Sequence, residues 1–208
     1  MPISLFHTVV SWILKKRKYQ IDLFLKHPIE VQEEVLYDLL SEARNTYVGK
    51  KYGFKNIKSY EAFAERVPIR KYESIEPMIE RNRQGEQNVL WPSKIQWFAK
   101  SSGTTNAKSK FIPVSDEALD DCHFKAGKDM LCLYINNNED TEIFKGKGLR
   151  LGGSSAVYED NDTYFGDLSA IIIENMPFWA DISIAPRQKT ALMSEWETKL
   201  DVIVHETI

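Results

Sequence analysis

The chain has 208 residues, of which 43% are hydrophobic and 27% are charged, which is enough apolar material for one ordinary globular core or two small ones. The formal net charge is −3 and the pI is about 5.9, so no basic field is present to drive sequence-independent nucleic-acid binding. Composition therefore excludes a fully disordered chain and argues against a DNA- or RNA-binding protein.

The N-terminal segment predicts a helix, because apolar residues recur every three or four positions between residues 4 and 25. A basic run, Lys15 to Lys18, follows the apolar residues 8–14. That apolar run is shorter than the roughly 20 residues that span a bilayer, so no integral membrane segment is expected. We interpret the segment as a core-packing helix with a solvated basic end, and a helix resting on a membrane surface is the alternative.

Three more helices are predicted before residue 87. The first begins at Pro28, because the first turn of a helix does not need the missing N–H. Its predicted buried stripe is Val31, Val35, Leu36, Leu39, Leu40 and Ala43. The second follows an N-cap at Ser59. The third covers residues 74–84 and places Pro77 in its first turn, where proline is tolerated.

From about residue 88 the sequence changes to short aromatic and β-branched runs, which predict strands. The predicted strands are residues 95–99, 111–114, 149–151 and 155–158. Ser115 is a suitable cap for a helix that ends near Tyr134. The isoleucine run 171–173 fits either a buried strand or a helix, and Pro186 is expected to open a last helix that holds Trp196. We therefore predict an α/β chain in which residues 1–87 are mainly helical and residues 88–208 are mixed α/β, as one continuous unit.

Residues 101–110 are the strongest candidate for a functional site. Residues 101–105, Ser-Ser-Gly-Thr-Thr, combine a glycine that permits a tight bend with four hydroxyl groups, and Lys108 and Lys110 add ammonium groups. These materials suit a polyphosphate. The loop is not of the Walker type, because Gly-x-x-x-x-Gly-Lys is absent and a strand rather than a helix is predicted to follow. On these residues alone, a plain hairpin turn remains the alternative.

The same segment resembles a known phosphate-binding motif. Ser-Ser-Gly-Thr-Thr-x-x-Lys-x-Lys followed by Phe-Ile-Pro-Val is similar to the motif of adenylate-forming enzymes, the superfamily of acyl-CoA synthetases, peptide-synthetase adenylation domains and firefly luciferase. Further blocks resemble, in order, the auxin-responsive acyl acid amido synthetase (Gretchen Hagen three) family. These blocks are residues 67–73, 75–81, 85–86 and 196–201. The resemblance covers about residues 60–208 and implies that the chain is an incomplete, N-terminal part of the adenylate-forming large domain.

The resemblance implies an ATP-dependent ligase. Family members bind ATP and Mg²⁺, activate a carboxylic acid as an acyl-adenylate, and pass the acyl group to an amine or amino acid. By position in the motif, the implied phosphate-binding residues are Ser101, Ser102, Gly103, Thr104, Thr105 and Lys110. The superfamily usually has Gly or Ser after the second threonine, whereas this chain has Asn106, which tolerates positive φ better than other non-glycine residues. The family's adenine and ribose motifs are not found, so the 208 residues alone are expected to be inactive.

Other features of the sequence point to no catalytic residue and to no metal site. Cys122 and Cys132 have the spacing of neither a disulfide framework nor a metal knuckle, and two lone thiols fit a reducing, cytoplasmic compartment. The acidic segment 159–167 does not match an EF-type loop and predicts a solvated turn. The Leu-Gly-Gly-Ser-Ser segment 151–155 is either a bend or a second phosphate site.

Two alternatives to the acid–amide ligase remain open on the sequence. An acyl-CoA ligase would share the adenylation step and would differ only in passing the acyl group to a thiol. A non-catalytic module would use residues 1–50 as a membrane-surface or partner-binding segment, with the loop as an ordinary hairpin turn.

Overall fold

The computed structural model describes residues 3–101, 109–138, 140–152, 158–160 and 162–207. The elements up to residue 83 are helical. They are α1 (Ile3–Lys26), α2 (Pro28–Ala43), α3 (Tyr47–Tyr52), a 3₁₀ turn (Phe54–Asn56), α4 (Tyr60–Arg66) and α5 (Tyr72–Arg83). None of the described helices has both the length and the hydropathy needed to cross a bilayer.

Short strands and further helices follow. The strands are β1 (Trp97–Lys100), β2 (Phe111–Val114), β3 (Gly148–Leu149), β4 (Tyr158–Asp160), β5 (Thr163–Gly166) and β6 (Ile184–Ala185). The helices are a π-helical segment (Ala118–Phe124) that continues into α6 (Lys125–Asn137), and then α7 (Leu168–Glu174), α8 (Phe178–Asp181), α9 (Gln188–Ala191) and α10 (Trp196–Thr207).

The larger sheet has the strand order β2-β1-β5-β4 and is mixed. Strand β1 is antiparallel to β2 and parallel to β5, and β5 is antiparallel to β4. Strands β3 and β6 form a separate parallel pair. Parallel pairing of β1 and β5 requires a long crossover, and here the crossover contains the π-helical segment and α6.

Both faces of the larger sheet are covered by helices. Successive side chains of a strand point to opposite sides, so neighbouring residues of β1 contact different faces. Phe98 of β1 packs with Ile79 of α5 and Phe165 of β5 on one face. Ala99, the next residue of β1, packs with Leu119 and Ile171 on the other face. The sheet is therefore a layer between α5 on one side and the π-helical segment and α7 on the other.

The first helix packs against the second half of the chain. Arg17 of α1 forms a bidentate ion pair with Asp129 of α6, at 2.7 Å from Nε to Oδ1 and 3.0 Å from Nη2 to Oδ2. The buried Cys132 thiol donates to the Leu14 carbonyl oxygen at 2.9 Å, and burial raises the pKa of that thiol. This contact agrees with the core-packing interpretation of α1 at Leu14, whereas Trp12 of the predicted apolar stripe is 58% exposed and Arg17 is engaged by Asp129 rather than solvated.

The predicted helix starts at Pro28 and Ser59 are confirmed. Helix α2 begins at Pro28, and the Ser59 hydroxyl accepts a hydrogen bond from the Ala62 amide at 3.2 Å. The predicted buried stripe of α2 is partly wrong: Leu40 and Ala43 are buried and two members are intermediate, whereas Val35 and Leu39 are about half exposed. The buried residues lie at the C-terminal end of α2, which packs against the 3₁₀ turn and α3.

Three other predictions need correction or refinement. Helix α5 begins at Tyr72, two residues before the predicted start, so Pro77 lies in the helix interior and not in the first turn. The isoleucine run 171–173 is helical, within α7. The single last helix predicted from Pro186 is two helices, α9 and α10, separated by residues 192–195.

Three of the four predicted strands shift by one to three residues. Strand β1 covers Trp97–Lys100 instead of 95–99, and β3 covers Gly148–Leu149 instead of 149–151. Strand β2 occupies the predicted residues 111–114. Strand β4 begins at Tyr158, and residues 155–157 of the fourth predicted strand lie outside the described residues.

Candidate functional site

The candidate loop connects two adjacent antiparallel strands, β1 and β2. At its base the Ser101 amide donates to the Lys110 carbonyl oxygen at 2.9 Å, and the Lys110 amide donates to the Ser101 hydroxyl oxygen at 3.2 Å. The structure thus brings together the first and last residues of the predicted phosphate-binding set. Ser102, Gly103, Thr104 and Thr105 of that set lie outside the described residues, as do Asn106 and Lys108.

The position of the loop in the sheet is typical of ligand sites. In open α/β sheets, ligands bind outside the carboxyl ends of parallel strands. Ala99 of β1 lies opposite Gly166 of β5, so the loop starts beside the turn that leads from β5 into α7. The base of the loop therefore lies at the carboxyl edge of the one parallel pair that the described part of the larger sheet contains.

An aromatic and cationic cluster packs against Phe111, the first residue of β2. The Phe111 ring meets the Phe165 ring edge-on, with centroids 5.4 Å apart. The Arg83 guanidinium lies 4.1 Å from the centroid of Phe111 and 5.0 Å from that of Phe165, and it also pairs with Glu80 at 2.7 Å. Because a cation over an aromatic face is attracted to it, Arg83 ties α5 to the first residue of β2.

The Tyr72 side chain of α5 contacts the same residue through its hydroxyl group. The Phe111 amide donates to the Tyr72 oxygen at 2.9 Å, and the Tyr72 hydroxyl donates to the Phe111 carbonyl oxygen at 3.2 Å. Sequence analysis did not identify Tyr72 or the neighbouring Glu73 as site residues. The available signal was their place in the 67–73 block, which resembles a family segment.

The Lys110 ammonium lies beside α5 at the surface. Its Nζ is 3.4 Å from Glu73 Oε1 and 5.0 Å from the centroid of the Tyr72 ring. The pKa of the Glu73 carboxyl is below its ordinary value, first because of a backbone hydrogen bond at Glu73 and next because of the nearby Lys110 charge. The Lys110 side chain is 42% exposed, so an anion from solvent can reach it.

The described residues of this site fit the phosphates of a nucleotide. An accessible ammonium and a serine hydroxyl lie at the base of the hairpin, and both can donate to phosphate oxygens. No group of three or more His, Cys, Asp or Glu side chains that could hold a metal ion occurs among the described residues.

The second glycine-containing segment, at 151–155, lies in a different environment from that of the 101–110 loop. Gly152 is buried, and a Cβ atom there would lie 2.8 Å from the Ala191 carbonyl oxygen and 2.9 Å from Ile173 Cδ1. The fully buried Lys199 of α10 donates to the Gly152 carbonyl oxygen at 3.2 Å. Gly152 is therefore required for close packing. Residues 153–155 lie outside the described residues, so the alternative of a second phosphate site stays a prediction.

The acidic segment 159–167 is mostly strand and not the predicted solvated turn. It contains the end of β4 and all of β5, which pair antiparallel, and Thr163 and Phe165 of β5 are buried. Among the described residues of the segment, only exposed Asp162, with φ +61°, has the predicted turn character. Both cysteines are free: Cys122 is exposed, and Cys132 is buried.

The fold is an α/β arrangement similar to the N-terminal part of a solved acyl acid amido synthetase. The solved structure of GH3.15 acyl acid amido synthetase superposes with a TM-score of 0.74 and 15% sequence identity, covering 91% of this chain and 33% of that chain. The match confirms the predicted fold class, a helical N-terminal region followed by a mixed α/β part.

The sequence profile of the GH3 family N-terminal domain matches residues 17–208. The chain therefore belongs to the GH3 family. It is 32% identical over 101 residues, 48% of this chain and 18% of the relative, to "Indole-3-acetic acid-amido synthetase GH3.2" of Arabidopsis thaliana. It is 26% identical over 134 residues, 63% of this chain and 22% of the relative, to "Jasmonoyl--L-amino acid synthetase JAR4" of Nicotiana attenuata. The matches thus cover about a fifth of the length of these curated relatives.

Proposed function

We propose that the chain is the phosphate-binding N-terminal part of a ligase that uses ATP to activate a small carboxylic acid and conjugates it to an amine or amino acid. The observation that carries the proposal is the base of the loop, where Ser101 and Lys110 are hydrogen-bonded to each other and the Lys110 ammonium remains accessible. Membership in the GH3 family, whose named relatives are acid–amido synthetases, supports the same activity.

The chemistry of adenylation suits these groups. A carboxylate oxygen of the acid attacks the α-phosphorus of ATP, the bond from that phosphorus to the bridging oxygen breaks, and pyrophosphate leaves. Mg²⁺ held by the phosphates would neutralise part of their charge. Negative charge grows on the departing pyrophosphate, and donors already aimed at that position stabilise it without reorganisation. We assign this role to the Lys110 ammonium, to the Ser101 hydroxyl, and to residues 102–105 of the loop. The amine nitrogen then attacks the acyl carbon, the bond from that carbon to the phosphate oxygen breaks, AMP leaves, and the nitrogen loses a proton to give the amide.

The compartment and the remaining partners follow from the same proposal. ATP, the acid and the amino acid are small solutes of the cytoplasm, and the two free thiols fit that reducing compartment. Cytoplasmic localisation is therefore part of the proposal.

The test is carboxylate-dependent exchange of labelled pyrophosphate into ATP by the product of the full reading frame that encodes this chain. We expect exchange with at least one acid from a panel of indole, jasmonate-like and benzoate carboxylates, and none from residues 1–208 alone. Absence of exchange across the whole panel would overturn the proposal. Offering an amino acid or coenzyme A as the acceptor then separates an acid–amide ligase from an acyl-CoA ligase.

A further inference from the structure

The sequence block 67–73 resembles a family segment, but the proposed function gives it no task. The structure places its last two residues, Tyr72 and Glu73, in the first turn of α5 and against the base of the candidate loop. Their contacts reach both the main chain and the side chain of the residues that close the loop.

The register of the β1–β2 pair explains why Tyr72 is needed. In an antiparallel pair, residues whose main-chain groups face the partner strand alternate with residues whose groups face away. Ser101 and Lys110 bond to each other through the main chain, so the next pair, Lys100 and Phe111, is one whose groups face away. Strand β2 is an edge strand among the described residues, so no strand accepts or donates at Phe111.

The Tyr72 side chain makes the hydrogen bonds that a neighbouring strand would otherwise make with Phe111. The Tyr72 hydroxyl accepts from the Phe111 amide at 2.9 Å and donates to the Phe111 carbonyl oxygen at 3.2 Å. Both main-chain groups of the residue that follows Lys110 are therefore fixed by a single phenol. Since the Arg83 guanidinium and the Phe165 ring contact the Phe111 side chain, α5 and β5 restrain the side chain of this residue as well as its main chain.

The Glu73 carboxylate restrains the ammonium of Lys110 in a weaker way. The two side chains are 42% and 66% exposed, and the charged atoms are 3.4 Å apart. Exposed ion pairs of this kind contribute little to stability, because solvent screens both charges. A polyphosphate that offers several oxygens can therefore displace Glu73 from Lys110.

We propose that Tyr72 and Glu73 are positioning residues for the loop: Tyr72 fixes the main chain at Phe111 so that Lys110 points to the phosphates, and Glu73 holds the Lys110 ammonium until a nucleotide replaces it. The inference rests on the proposed function, because it assigns Lys110 to the phosphates of ATP. It gives the two residues effects of opposite sign on nucleotide affinity, which a merely structural role would not produce.

The variant Tyr72→Phe keeps the ring and removes both hydrogen bonds. We expect the KM for ATP in pyrophosphate exchange to rise about tenfold, because Lys110 loses its fixed direction, while the maximal exchange rate stays within about twofold. The matched control is Tyr60→Phe, which removes the same atom from an exposed tyrosine of α4 and is expected to leave the KM unchanged. Hydrogen exchange of the 109–114 segment should become faster in Tyr72→Phe. An unchanged KM would overturn the role of Tyr72.

The variant Glu73→Gln keeps the shape and removes the competing charge. We expect the KM for ATP to fall about twofold at low salt, and the difference to shrink as salt screens the pair. The matched control is Glu76→Gln, an exposed glutamate three residues further along α5, with no expected change. A KM that stays the same or rises at low salt would overturn the role of Glu73.

Failure of the inference can be told apart from failure of the proposed function. If the unsubstituted protein shows carboxylate-dependent exchange and the two variants do not differ from it, the positioning role is wrong and the ligase proposal stands. If the unsubstituted protein shows no exchange with any acid, the ligase proposal and this inference are both overturned.

Discussion

Two lysines of this protein lie next to glycine-containing segments that the sequence offers as phosphate sites, and their surroundings are opposite. Lys110 is 42% exposed at the base of the 101–110 loop, with a single weak ion pair to Glu73. Lys199 is fully buried in α10, where it donates to the Gly152 carbonyl oxygen at 3.2 Å and lies 5.7 Å from the centroid of Trp196. The first is available to an anion from solvent, whereas the second is sealed within the packing.

The difference shows that a glycine, serines and a lysine do not define a phosphate site by themselves. Lys110 lies at the base of the connection between β1 and β2, at the carboxyl edge of a parallel strand pair, while Gly152 is packed against the Ala191 carbonyl and the Ile173 side chain. Solvent access to the cation is what separates a ligand-binding arrangement from a structural one. Each prediction below tests whether this separation between Lys110 and Lys199 is correct.

The largest expected effect is on stability, in the variant Lys199→Ala. We expect the free energy of unfolding to fall by about 3 kcal/mol, because the truncated side chain leaves a cavity and the Gly152 carbonyl loses its donor. Urea denaturation measures the change. The exposed Lys189 supplies the control, since Lys189→Ala should cost less than about 0.5 kcal/mol. Equal losses in the two variants would remove the distinction between a sealed and an accessible lysine.

The variant Lys110→Ala should lose activity and keep its stability. We expect kcat/KM for ATP in pyrophosphate exchange to fall about 30-fold, which is about 2 kcal/mol of transition-state stabilisation, because the departing pyrophosphate loses a charged donor. Stability should change by less than about 0.5 kcal/mol, since exposed ion pairs contribute little. Lys94→Ala, a change at an exposed lysine before β1, is the control. Full activity in Lys110→Ala would contradict the assignment.

The smallest effect is a pH dependence from Lys199. Burial lowers the pKa of this lysine below its ordinary value of 10.5, so between the lowered value and 10.5 the unfolded chain binds more protons than the native one. Stability must then rise with pH in that alkaline window. Lys199→Met lacks the titrating group. We therefore expect the free energy of unfolding of the unsubstituted protein, relative to that of Lys199→Met, to increase as the pH rises through this window. Parallel pH profiles for the two proteins would contradict a desolvated ammonium.

Local sequence signals predicted the parts of the fold that depend on neighbouring residues. Pro28 and Ser59 mark helix starts because their effects on the first helical turn are local, and the structure confirms both. The residues at the base of the loop could also be predicted, because Ser101 and Lys110 stand at the ends of a motif that can be recognised from the sequence. The isoleucine run 171–173 had no local signal to separate a strand from a helix, because either would bury Ile171, which packs against β1 and the π-helical segment.

Contacts between distant residues were not predictable in the same way. Tyr72 reaches Phe111 across 39 positions, and nothing in either segment indicates that a phenol completes the edge of β2. Lys199 was missed because lysine is almost always exposed, so a helical pattern assigns it to the solvent side. The exposed residues Val35 and Leu39 reflect the converse problem: apolar periodicity identifies a face of α2 but does not show whether another element covers it.

The contact between α1 and α6 has a practical consequence for anyone who divides the gene for expression. A fragment starting at residue 88 would appear to retain every strand, yet it would strip Leu14 and Arg17 from α6 and leave Ile135 and the Cys132 thiol uncovered. Such a fragment would have an oxidisable cysteine on a newly apolar surface and would tend to aggregate. Any shortened version intended for biochemistry should therefore keep α1, however far it lies in sequence from the loop under study.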